Sequence, residues 1–538
     1  MQFLPRSRRV NAGPKRSARH WIGVAALAFG AAALQVLPVG QARLERSAAP
    51  DALGPPEAVE SAPVLRTVEP KGPAPARASV LSAMRYTIGP TRRVDARLAG
   101  AQLWEPSLVV THAGSDSAQD DQIAAIWMEG RRSGEMTDTR IGSASSFDGA
   151  DAWTTTELVA PAGSTGTQFD PMTAVDATTG RTYVGAMSRD AAVGASDTVW
   201  LAYKDASAAQ PGGPRAIFVQ SGVDKGWMAA GTPPAPLNGS VLYVLFKAAA
   251  LGSLGLRSLD EGATFEPFAI PDGVGHQPRI GPGGVLTISF SGSVGSARAS
   301  TLVRSVDALE SISQPLIQVP MAATRRQLDD AVPGGFRIPD LAMHAVDPVS
   351  GRLYLLYNDV TGTSGGEADV NLLLRDSIDG GANWSEPRIV NGDASPAGDQ
   401  FMPWIECDAQ GRLHLAYFDN RRNVAPDAGD IALLDVYYAL STDGGSTWEE
   451  ARLTGAPLHA QSTWWNPLGY GTQFVGDYLG MAVSRHAVYV AYPGDDAGEV
   501  GMMVTRIDFA GIPSSPHRTR AIPTDTIGSR IRRPAPFR

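Results

Sequence analysis

The stretch SIDGGANW, Ser377 to Trp384, returns as STDGGSTW at Ser441–Trp448 and more loosely as SLDEGATF at Ser258–Phe265. An Asp at the third position can accept hydrogen bonds from backbone N–H groups two residues on, closing a tight turn. The glycines supply φ > 0 where a Cβ would clash. The terminal Trp or Phe is a large apolar plug, and the Ser hydroxyl can hold the returning backbone. Each residue type therefore has a structural reason to be there. Repetition argues the same way, since a catalytic acid is not needed in every copy. Asp260, Asp379 and Asp443, with Trp384 and Trp448, are read as structural.

Working outward from these turns, the chain is a repeat. The segments starting at Asp170 (DPMTAVDATTGRTYVGAMSRD), Arg337 (RIPDLAMHAVDPVSGRLYLLYND) and Met402 (MPWIECDAQGRLHLAYFDN) share one grammar. Each runs strand, Asp, Gly turn, then an alternating strand with the period of two that a sheet requires. Looser copies open near Glu105, Asp224, Gln277 and Gly476, which makes seven starts. A third strand follows in the clearest copies (DVNLLLRDS, LLDVYYALS), then the Asp turn, then a fourth strand such as EEARLTG. Four antiparallel strands per unit, repeated this way, predict an all-β chain folded as a β-propeller of about seven blades. A first strand within MRYTIGPTRRV, residues 84–94, is expected to complete the sheet of the last unit, because an open ring would expose edges.

The flanks differ in kind. Six basic residues precede the apolar run Trp21–Leu37, and GQA ends at Ala42. Residues 1–42 read as an export signal, cleaved or retained as an anchor. The Ala/Pro-rich residues 43–83 read as an extended linker, 84–509 as the propeller, and 510–538 as a tail with six Arg against one acid, Asp525. The expected location is outside the cytoplasm, secreted or periplasmic, with a membrane involved only through an uncleaved signal. A formal net charge of -9 argues against nucleic-acid binding. The single cysteine, Cys407, excludes an intrachain disulfide and reads as a strand residue rather than a nucleophile. The GTSGG at 362–366 lies in a polar Gly-rich loop, away from any strand-to-helix elbow. No metal-ligand spacing or cofactor motif is present, so neither metal nor cofactor is expected.

The turns at Ser258, Ser377 and Ser441 resemble the Asp-boxes of bacterial neuraminidase repeats, and the segment SSFDGADAW at Ser145–Trp153 resembles a degenerate fourth. The chain thus resembles the sialidase-like propeller superfamily, whose ring has six blades where seven units are counted here. FRIP at Phe336–Pro339 resembles the family motif whose arginine grips a sialic acid carboxylate. A planar guanidinium suits that task because it pairs with a carboxylate bidentately. The resemblance implies Arg337 as an anion ligand and Arg421 or Arg422 as a second. It implies Asp427 or Asp430 as general acid, and a tyrosine nucleophile with a glutamate partner, for which Tyr470, Tyr478 and Glu406 are the candidates. Two functions stay open. One is an exo-sialidase-like glycoside hydrolase, or a relative that only recognises a glycan or anionic polysaccharide at the channel mouth. The other is a non-catalytic envelope propeller that binds or scaffolds a protein or polysaccharide. Nothing in the sequence calls for an oligomer, so a monomer is expected.

Overall fold

The computed structural model describes residues 86–509 apart from 97–100, 113–116, 134–135, 159–160, 162–166, 191–195, 206–211, 250, 324–327, 329–336, 365–366, 393–397, 423–432 and 460–473. The chain divides into 1–79 and 80–538, and every described residue belongs to the second part. The expected export signal, the linker and the basic tail lie outside the described residues. No helix among the described residues is long and apolar enough to cross a membrane.

Alternating apolar strands separated by Asp and Gly turns form seven antiparallel four-stranded sheets, six of them with their strands in chain order. Five of the seven unit starts read from the sequence fall within inner strands, and Arg337 and Gly476 fall shortly ahead of theirs; the seven strands are Gln102–His112, Gln168–Val175, Val223–Gly231, Val274–Ile280, Met343–Val346, Gln400–Cys407 and Gly480–Val483. These strands neighbour one another around a central channel, so the blades are numbered 1 to 7 from them. Blade 6 carries one extra short strand, Leu458–His459, on its third strand. The seventh blade takes its outer strand from the start of the chain. Thr87–Arg93 pairs with Glu499–Asp508, so the ring is closed by joining its two ends, as the edge argument requires.

The repeated turn joins the third and fourth strands. In blade 5, Ser377 Oγ donates to Asp379 Oδ1 (2.8 Å) and accepts from the Gly381 N–H (2.8 Å). Asp379 Oδ1 in turn accepts from the Asn383 N–H (2.9 Å), four residues on rather than two. The same pattern occurs at Asp260 and Asp443, and at Asp148 in the looser copy. A fifth copy at Ser305–Asp307 has no glycine or tryptophan to announce it. The two residues after each Asp take positive φ: Gly380 and Gly381 at 72° and 93° in blade 5, but Ala308 and Leu309 at 56° and 76° in blade 4. Trp384 packs beside Val319, Leu355 and Tyr357, and its Nε1 donates to the Leu316 carbonyl of blade 4 (3.2 Å). It is a plug between blades.

A Cβ at Gly381 would stand 2.9 Å from the Leu316 side chain. Gly381→Ala is therefore expected to cost about 1–2 kcal/mol from the left-handed backbone alone, with the clash in addition. Asp379→Ala should cost about 1 kcal/mol, the scale of a lost side-chain cap. Urea denaturation of both variants checks the order, which a larger loss for Asp379→Ala would reverse.

Five inner strands carry a register shift near their start, at Glu105, Asp170, Lys225, Gly275 and Met402. The four that are not glycine have φ between 49° and 52°. Glu105, Asp170 and Met402 precede prolines, which have no N–H to leave unpaired where the ladder breaks. This explains the proline that opens several units. The bulge also re-aims the side chain before it, and that builds the site described next.

Candidate functional site

The channel has two ends. At the entry end the chain enters each inner strand. At the turn end lie the Asp turns.

At the entry end, bulges turn Glu105, Asp170 and Lys225 toward one another. Lys225 Nζ stands 3.1 Å from Glu105, 3.2 Å from Asp170 and 2.5 Å from Asp477 of blade 7. The Lys225 and Asp477 backbone N–H groups donate to Asp170 and Glu105, at 2.7 and 3.2 Å. Arg337, just ahead of blade 5, pairs with Asp477 and lies over the Phe474 ring. Glu105, Asp170, Lys225 and Asp477 are all buried. Burial pushes the Glu105 carboxyl up to about 8; Lys225 opposes the shift, while Asp170 and Asp477 add to it. The Lys225 ammonium is penalised by burial, but Asp170, Asp477 and Glu105 hold it well above the ordinary lysine range. Tyr478 completes the group. Its ring packs on Trp227 (5.3 Å) and under Lys225 Nζ (5.5 Å). Its hydroxyl is buried without a hydrogen-bond partner among the described residues. Burial, then Glu105, Asp170 and Asp477, drive its ionisation well above the ordinary tyrosine value. It is a neutral phenol in this setting.

Arg421 belongs to a second cluster, inside blade 6. It holds Asp419 (2.6 Å) and Glu450 (3.2 Å) and stacks on Tyr437 (4.2 Å). Tyr417 donates to Glu450, and burial followed by the Glu450 charge keeps it protonated. Arg422 pairs with Asp435 at 3.2 Å, with its side chain about half exposed. Asp427, Asp430 and Tyr470 lie outside the described residues.

Toward the turn end the channel widens into a cavity of about 740 Å³. It runs from Ser107, Trp227 and Trp404 to the turns at Gln410 and Arg485. Arg279 of blade 4 reaches across its wall, past the His344 carbonyl of blade 5, to Glu406 of blade 6 (2.5 Å). Glu406 also accepts from Trp404 Nε1 (2.9 Å), and the guanidinium lies 5.7 Å from the Trp404 ring. Gln277, Cys407 and Asp408 line the same cavity. Asp408 is committed to Arg412 (2.5 Å) and His414 (3.1 Å).

The structure therefore separates the residues singled out from the sequence. Arg337 and Tyr478 sit at the entry end, Glu406 in the cavity, and Arg421 in blade 6. No hydrogen bond joins Tyr478 to Glu406. Asp260, Asp379 and Asp443 lie in turns between third and fourth strands, with Trp384 and Trp448 beside them. Sequence reasoning missed Glu105, Asp170, Lys225 and Arg279. The available signal was a charged residue directly before Pro or Gly at three successive unit starts.

No protein-family profile matches the chain, and no curated protein matches it. Several solved structures are similar in fold. A protein of unknown function from Dyadobacter fermentans is 13% identical, with 79% of this chain and 99% of that one covered and a TM-score of 0.42. The leech intramolecular trans-sialidase is 13% identical over 59% of this chain and 64% of that one, with a TM-score of 0.40. A Trypanosoma rangeli sialidase is 12% identical over 62% and 54%, with a TM-score of 0.39. The chain spans less than two thirds of the length of these two enzymes. The propeller assignment itself stands on the strand pairing above.

Proposed function

We propose that the chain is an exported, sialidase-like propeller that recognises a glycan in its central cavity without cleaving it. The cavity carries the reading. Its volume suits a small ligand, and its wall sets an indole beside a paired guanidinium and carboxylate, with a primary amide nearby. Sugar hydroxyls donate and accept at once, which Arg, Glu and Gln groups can answer together. The apolar C–H face of a pyranose suits an aromatic ring. Against sialidase-type cleavage stands the separation of the tyrosine and glutamate that the resemblance pairs, with Tyr478 at the entry end and Glu406 in the cavity. Glu406 and Asp408 are both held by cations of the chain. Arg337 and Arg421, the arginines that resemble carboxylate grips, likewise already hold carboxylates, which favours a neutral ligand.

The test is a panel of neutral and acidic glycans offered to the full chain, with a parallel sialoside hydrolysis assay. Neutral glycans should bind, and Glu406→Gln should weaken them about tenfold, or about 1.4 kcal/mol, with no turnover. Hydrolysis abolished by Tyr478→Phe would restore the enzyme. A panel with no binding at all would move the function to a protein-binding scaffold.

A further inference from the structure

Blade 1 is small-sided at one place where blades 3 and 4 are filled. The residue ahead of the turn serine is Arg257 in blade 3 and Arg304 in blade 4, opposite Tyr243 and Thr287 of the second strand. Each guanidinium crosses to the next blade and donates to a turn carbonyl, Ala308 (2.9 Å) or Gly380 (2.9 Å). In blade 1 the corresponding pair is Ser145 opposite Ala124. Two such short side chains do not reach across, and both border a groove of about 320 Å³ between blades 1 and 2.

The groove opens from the central cavity, since Val109, Thr111 and Gly180 border both. It runs outward past Gln122 of the second strand of blade 1 to Ser145 and Phe147 at the end of the third, two strand spacings or about 10 Å. Phe147 is 57% exposed, and the hydrogen bonds of its turn, made by Ser146 and Asp148, do not use it. Lys204 Nζ of blade 2 lies 5.7 Å from that ring. Asp205 borders the groove as well and is held by Arg181 (2.7 Å). An aromatic ring beside an ammonium and a carboxylate repeats the chemistry of the wall built by Trp404, Arg279 and Glu406. A recess that combines exposed apolar surface with a few convergent polar groups has the make-up of a ligand site.

We propose that this groove is a second subsite, so that the ligand is a neutral oligosaccharide running from the central cavity outward between blades 1 and 2. One sugar ring stacks on Phe147, and its hydroxyls meet Lys204, Gln122 and Ser145, which donate and accept between them. With a cation and an anion both at the groove, hydroxyls are answered better than an acidic group. The subsite rests on the central cavity being a glycan site, and gives that site's ligand a length and a direction.

The test titrates the full chain with β-1,4-linked oligomers of glucose, galactose and N-acetylglucosamine, one to four units long. In the series that binds, affinity should rise several-fold from the shortest member to the longest. Phe147→Ala should flatten that rise, and Phe147→Trp should keep it. Ser145→Arg, which fills the groove as Arg257 and Arg304 do in their own blades, should flatten it too. Phe147 is exposed and Ser145 half-buried, so melting temperatures should stay near wild type. The two Phe147 variants carry the test if Ser145→Arg does not fold. Affinity that is the same at every length would overturn the subsite and leave the cavity reading standing. So would a rise that survives both Phe147→Ala and Ser145→Arg. No binding by any member of the three series would overturn the subsite together with the cavity reading.

Discussion

Deleting residues 84–94 should unfold the whole ring, whereas deleting 43–75 should leave its melting curve in place. The segment is short, but it holds three blades. Within blade 7, Thr87–Arg93 supplies the outer strand, and the Val94 N–H donates to the Met502 carbonyl (2.8 Å). Arg93 bridges Asp95, Asp496 and Glu499. Toward blade 6, Tyr86 meets Tyr438 edge-on at 5.0 Å and donates to the Glu449 carbonyl (3.2 Å). Toward blade 1, the Val94 carbonyl accepts from Thr155 (2.7 Å), and Val94 packs in a core shared by blades 1 and 7. Loss of the strand exposes Glu499–Asp508 as a bare edge and strips one wall from two neighbouring cores. The expected destabilisation is of the order of the roughly 5–15 kcal/mol that keeps a domain folded at all. Thermal and urea unfolding of both deletions decides it, and coincident curves would remove the argument.

The ring was legible in the sequence because its determinants are local. A turn such as Ser441–Trp448 carries its reasons within eight residues. Five of the seven inner strands announce themselves by an Asp–Gly hairpin or an opening proline; those of blades 3 and 7 carry neither. The fifth Ser-x-Asp turn escaped because Ala308 and Leu309 occupy positive-φ positions where glycine is the usual signal. The site was far less legible. Lys225, Glu105, Asp170 and Asp477 come from four blades, and Glu105 and Asp477 lie 372 residues apart. Only the bulge that re-aims three of these side chains makes them neighbours, and a bulge leaves no periodicity to read. Arg337 and Arg421 were found through local motifs, but a motif does not say which carboxylate a guanidinium will meet. Arg279 had no motif, and its reach to Glu406 is a product of ring closure.

Lys225→Met should be the most damaging single substitution in the ring. It removes the one ammonium that faces Glu105, Asp170 and Asp477 together, and leaves Arg337 to answer for three buried carboxylates. Removing one partner of a buried ion pair costs about 3–5 kcal/mol, and the Met stem keeps the packing loss small. The pH dependence identifies the cause. In the folded ring Glu105 binds its proton more tightly than in the unfolded chain, its pKa being raised from 4.5 to about 8. A raised carboxylate contributes its full stability below pH 4.5 and loses it as pH climbs toward 8. Lys225 is itself raised, so its own contribution is full below the ordinary lysine value and is lost only above it, outside this window. The wild-type ring should therefore lose stability between about pH 4.5 and 8. Without Lys225 the carboxylates repel unopposed and Glu105 rises further, so the variant should fall more steeply over the same interval. Near pH 5, with Glu105 protonated, the gap between variant and wild type should narrow. Urea midpoints at pH 5 and pH 8 measure it directly. A gap that is the same at both pH values would mean that Lys225 acts through packing, and that the cluster is not the charged latch its geometry describes.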